Sequence, residues 1–194
     1  MGNINKGRRS AAKRRFREKL HKVIGCILAV IAIVLVIAVF GGAYYLIIAP
    51  SMVSKPFIEK PVLSESELSS IEAGENVIGS EHINYIVNEI GAYKLKKLLG
   101  TDRYPIIESV ITDSGEKFYS YVKDHMPITG EGDAKDEDII IRGSQKTIFN
   151  ILSSDNVLSA VKKAKDNGEV EVELVSDMKT LAAKGYLSIY DNLR

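Results

Sequence analysis

The sequence predicts an α+β fold: a single N-terminal transmembrane helix followed by a mostly antiparallel sheet of four to five strands packed by helices. Three observations lead there. No charged residue occurs from Val23 to Pro50. The stretch from Ile106 to Val122 splits into two β-branched or aromatic runs around Asp113-Ser114-Gly115, the pattern of a hairpin. Most other apolar residues recur at helical spacing, in segments that stay apart from the strand-like ones.

Charge divides the chain in the same place. Lys6, Arg8, Arg9, Lys13, Arg14, Arg15, Arg17, Lys19 and Lys22 face one acid, Glu18, within residues 1–22. That tail carries +8 in a chain whose total is +1, so the remainder is −7. The expected organisation is a basic cytoplasmic tail (1–22), a transmembrane helix (23–49), a linker holding Pro56 and Pro61 (50–63), and an extracytoplasmic α+β domain (64–194).

The apolar run, VIGCILAVIAIVLVIAVFGGAYYLIIAP, exceeds the ~20 residues that span a bilayer and has no polar stripe. Tyr44 and Tyr45 suit an interface. Arg14, Arg15, Arg17, Lys19 and Lys22 abut its N-terminal end, and the positive-inside bias assigns them to the cytoplasm. A single-pass protein of the cell membrane is expected, with the lipid bilayer as its first partner. A cleaved signal peptide fits less well, because its apolar core is only ~7–15 residues. N-myristoylation at Gly2 requires Ser or Thr where Lys6 stands. The segment RRSAAKRRFR is able to bind phosphates without sequence preference, but its position beside the apolar run assigns it to orientation, and no specific nucleic acid is expected.

Within the domain, Ser64 and Glu67 form a capping box before a helix of about 65–72. Ser80 precedes Ile83, Ile86, Val87 and Ile90 at helical spacing. Ala92–Leu99 fits strand or helix. The hairpin follows, then a loop at Pro127–Asp136, a short strand at Asp138–Arg142, and a helix at Gln145–Leu152. Asp155 caps the next helix, which Asn167-Gly168 ends. In Glu169–Leu174 Val170, Val172 and Leu174 alternate with Glu169, Glu171 and Glu173, a strand with one wet face. Asp177 caps a final helix through Leu193.

The run from Asp138 to Leu193, DIIIRGS, QKTIFNIL, DNVLSAVKKAKDNG, EVEVEL and MKTLAAKGYLSIYDNL, resembles the C-terminal half of the sterol carrier protein 2 (SCP2)-like domain in element order. The likeness covers about 90 residues, with the 106–122 hairpin standing for earlier strands. It implies five strands, an apolar ligand or lipid held in a tunnel between helices and sheet, and no catalytic residues. Phe149, Leu152, Leu181 and Tyr186 are the lining it implies, although core packing is the commoner role of such faces.

Little else points to chemistry. Cys26 is the single cysteine and lies in the apolar run, so the domain has no disulfide. His21, His82 and His125 are far apart, which excludes an obvious metal set. The acidic stretch EGDAKDED lacks EF-hand order, and neither a phosphate loop nor a G-x-S-x-G elbow occurs. No cofactor, metal or catalytic residue is expected, and the chain is read as a non-enzyme. The expected function is a membrane-anchored binding module for an apolar or lipid ligand. The alternative is a scaffold domain of a cell-surface assembly that recruits a protein partner, its acidic face at Glu169, Glu171 and Glu173 serving the contact.

Overall fold

In the computed structural model, which describes residues 27–28, 30–42, 44 and 52–193, the chain divides into two units, Met1–Tyr45 and Leu46–Arg194. In the first, the described residues from 27 to 42 are helical and expose Ile27, Leu28, Val34 and Phe40 among others. The expected transmembrane helix is not found: among the described residues no helix is long and apolar enough to cross a membrane. The rest of the expected 23–49 span lies largely outside the described residues, as do Arg14, Arg15, Arg17, Lys19 and Lys22.

In the second unit the described residues from 52 to 63 form no helix or strand. Their side chains and carbonyls are tied to later elements, with Lys60 Nζ donating to Ser154 O at 2.8 Å and Lys55 paired with Glu89 at 2.6 Å. Helix α1 (Glu65–Glu72) starts where Ser64 and Glu67 close the capping box. Ser64 N–H donates to Glu67 Oε2 at 2.6 Å, and Glu67 N–H donates to Ser64 Oγ at 3.3 Å. Helix α2 (Ser80–Glu89) is capped by Gly79 rather than Ser80, with Gly79 N–H donating to His82 Nδ1 at 2.9 Å. Its spacing buries Ile83 and Val87, and Ile90 just beyond, each worth about 1.5–3 kcal/mol in apolar transfer. Ala92–Lys94 resolves the ambiguous segment as a 3-10 turn.

Five strands follow: β1 (Ile106–Ile111), β2 (Lys117–Lys123), β3 (Met126–Glu131), β4 (Ile139–Gly143) and, after two helices, β5 (Val170–Leu174). The intervening helices are α3 (Gln145–Ser153) and α4 (Val157–Asp166), the latter capped by Asn156 rather than Asp155. The last helix is two: α5 (Met178–Lys184) and α6 (Tyr186–Leu193), broken at Gly185, whose φ of 93° is left-handed.

The sheet order is β3-β2-β1-β4-β5. Pairs β1–β2, β2–β3 and β4–β5 are antiparallel, but β1–β4 is parallel. The sheet is therefore mixed, which corrects the expectation of a mostly antiparallel one. The reason is topological: β4 does not continue the meander beside β3 but crosses to the far side of β1. Residues 132–138 make that crossing.

Strand β3 occupies part of the segment expected to be a loop. Pro127 and Gly130 weaken its strand signal, yet β3 is an edge strand, where proline is tolerated. The helix-facing side of the sheet carries Ile107, Ile111, Phe118, Val122 and Ile139, all at most 2% exposed.

Candidate functional site

The period-2 alternation of β1 and β2 sends two unlike sets of side chains to opposite faces. Phe118, Ser120 and Val122 point into the helical layer and are buried, whereas Tyr119 and Tyr121 stand half-buried on the other face. Across the β1–β2 ladder, Tyr121 opposes Ile106 and Tyr119 opposes Glu108. Tyr119 also opposes Gly130 of β3. A methyl group at 130 would come within 2.7 Å of the Tyr119 ring, so the missing side chain is what lets that ring lie across β3.

The 132–138 crossing is pinned over this same face. Gly132 N–H donates to Lys117 O at 2.8 Å, and Lys117 Nζ reaches Asp133 at 2.5 Å. Ala134 N–H donates to Glu108 Oε2 at 2.9 Å. The Asp133 carboxylate, followed by that of Glu108, raises the pKa of the Lys117 ammonium. Between this strap, the 102–104 loop and the sheet lies a cleft of about 520 Å³, within the range of small-molecule sites. Ile106, Tyr104, Tyr119 and Tyr121 supply its apolar walls; Arg103, Lys135 and Asp136 are exposed members of its lining.

Lys184 also lines the cleft, although it is only 1% exposed. Its ammonium donates to Tyr104 O at 2.9 Å and to both oxygens of Asp138 at 2.8 Å. Asp138, fully buried, further accepts from Ile106 N–H at 2.9 Å, Ser176 Oγ at 2.9 Å and the Tyr186 hydroxyl at 3.0 Å. Burial first, and the Asp138 charge second, push the Tyr186 hydroxyl well above its ordinary pKa. A charge placed in low dielectric is tolerable only with such complete pairing. The cluster ties the start of β1, the start of β4 and the α5–α6 junction together at the floor of the cleft.

Phe149, Leu152, Leu181 and Tyr186 are the residues expected to line a tunnel. Leu152, Leu181 and Tyr186 belong to the core, and Phe149 packs half-buried against it. The crevice between helices and sheet, lined by Ile83, Val87, Ile111, Ile148 and others, has a volume of about 40 Å³, little more than one water's share of about 30 Å³. Neither it nor the open-face cleft is lined by those four side chains. Sequence reading passed over Asp138, Lys184 and Tyr104 as site residues. The alternation of Tyr119 and Tyr121 against Phe118 and Val122 was the available signal for the open face.

Among the described residues no group of His, Cys, Asp and Glu is arranged to hold a metal ion. No family model matches the chain, and comparison with curated proteins gives no match. Among solved structures, it is similar to a double mutant of the sec-alkyl sulfatase PisA1 (TM-score 0.36, 14% identity, 56% of this chain and 16% of that one). It is also similar to a UbiJ-SCP2 ubiquinone synthesis protein (TM-score 0.34, 10% identity, 66% of this chain and 98% of that one). A third is the stereoselective inverting sec-alkylsulfatase Pisa1 from Pseudomonas sp. (TM-score 0.33, 13% identity, 57% and 16%). The chain thus spans about a sixth of the alkylsulfatases' length. The second structure is of the type the sequence resembles, but at such scores none of the three assigns a family or an activity. The class defined by the fold itself is an α+β domain with a mixed five-stranded sheet, helices on one face and a strapped cleft on the other.

Proposed function

We propose that the chain is a non-catalytic binding module that holds a small apolar-bodied or lipid ligand on the open face of its sheet, under the 132–138 strap. The single observation that carries this reading is the 520 Å³ cleft with three tyrosine walls. Aromatic rings give large contact area in fixed positions, which suits a site that must stay open when empty. Lys184, the buried lining cation, has its ammonium committed to three acceptor atoms.

The scaffold alternative gains less. Glu171 and Glu173 are exposed on β5, an edge strand, and Glu173 pairs with Arg142 at 2.7 Å. Charges on an edge strand already have a sufficient role in blocking edge-to-edge pairing.

The test is solvent extraction of the full chain as purified, with mass spectrometry of the extract, beside a Tyr119→Ala/Tyr121→Ala variant whose fold is checked by circular dichroism. A small molecule recovered near one per chain, and depleted in the variant, is the expected result. No such molecule, or equal recovery from both, contradicts the proposal.

A further inference from the structure

The charges around the cleft are not equally free. Asp102 has Lys97 at 3.2 Å, and Asp133 has Lys117 at 2.5 Å. Lys184 is neutralised from below by Asp138. Of the remaining charged lining residues, Arg103 and Lys135 have no ion pair or side-chain hydrogen bond among the described residues, and neither does Asp136. The unpaired charges of the lining are thus two cations and one acid, with Glu137 beside Arg103 and Asp136 in the adjoining pocket. Arg103 comes from the loop before β1 and Lys135 from the strap, so the two approach the cavity from different elements.

We infer that the ligand is an amphipathic anion, its flat apolar body against Tyr104, Tyr119, Tyr121 and Ile106 and its anionic head taken by Arg103 and Lys135. The inference rests on the binding-module reading above and adds the chemistry of the head. A guanidinium offers a planar fork to a carboxylate or phosphate, and an ammonium adds a point charge. The head stays at the wetter end because Asp138 already occupies the buried lysine: an anion at Lys184 would meet a fully buried carboxylate at hydrogen-bond range. Asp136, and Glu137 on the side of Arg103 that faces the adjoining pocket, oppose an anion, so the head is expected to sit toward Lys135.

Equilibrium dialysis of the full chain against 2-naphthoate, 2-naphthyl phosphate and the neutral 2-naphthamide tests this. The three share a ring system and differ in head. The expected result is that at least one anion binds about fivefold more tightly than the amide at low salt, the scale of exposed ion pairs. An Arg103→Gln/Lys135→Gln variant should lose that preference and keep its affinity for the amide. Both outer positions are exposed, so the variant is expected to fold. Preference for the phosphate or for the carboxylate then tells which anion the head is. Equal binding of all three, abolished by Tyr119→Ala, overturns the anionic head while leaving the cleft as a binding site. Binding of none overturns both.

Discussion

The Lys184 ammonium lies 2.8 Å from both carboxylate oxygens of Asp138, with the two residues 1% and 0% exposed. Removing one partner leaves a buried charge uncompensated, at a cost of about 3–5 kcal/mol. Lys184→Met and Asp138→Asn should each lower the urea midpoint by a corresponding amount. The double variant Asp138→Leu/Lys184→Met should not recover full stability. Ile106 N–H and Ser176 Oγ would still lack the acceptor that Asp138 supplies, whereas the Tyr186 hydroxyl keeps Ile106 O at 3.1 Å.

Tyr186 makes stability depend on pH at the alkaline end. Its folded-state pKa is raised well above the ordinary 10.0, by burial and then by Asp138. Below pH 10 both folded and unfolded chains keep the proton, and the contribution is fully present. As pH rises further, the unfolded chain ionises first, so stability falls until the folded-state value is passed. Tyr85, also raised by burial and then by Glu89, acts in the same direction. Urea midpoints from about pH 8 to pH 11 should decline above pH 10, and less steeply in Tyr186→Phe.

Gly130→Ala places a methyl group 2.7 Å from the Tyr119 ring. The ring must swing away from β3, at about 1–3 kcal/mol for an overpacked site. Because Tyr119 is a cleft wall, this variant should weaken ligand retention even where it stays folded. A melting curve and the extraction assay check both halves.

Gly185→Ala addresses the break between α5 and α6. At a φ of 93° a side chain is strained whatever the space around it. A loss of about 1 kcal/mol is expected, seen as a fall of about 2–4 °C in Tm.

Much of the fold was legible residue by residue. Ser64 and Glu67 announced α1, the Ile83–Val87–Ile90 spacing announced α2, and the valine–glutamate alternation announced β5. Strand β3 was hidden because Pro127 and Gly130 are poor strand formers, and only its edge position makes them acceptable. Gly185 was hidden because the apolar spacing runs through it on both sides. The parallel β1–β4 pair is a relation between distant segments that local periodicity does not encode.

The site was less legible for the same reason. Asp138 and Lys184 are 46 positions apart, and each alone looks like an ordinary surface charge. Only the fold brings them to one floor with Tyr186. The expected helix-side lining followed apolar faces, and those faces are occupied by one another. The long apolar run suggested a membrane span, but among the described residues no helix is long and apolar enough to cross a membrane.

Tyrosine-resolved NMR of the full chain titrated with 2-naphthoate tests the central claim most directly. Binding on the open face predicts shifts at Tyr104, Tyr119 and Tyr121, with Tyr85, which packs against the core from α2, little affected. Shifts centred instead on Tyr85, with Tyr119 and Tyr121 silent, would place the ligand on the helical side and contradict the account.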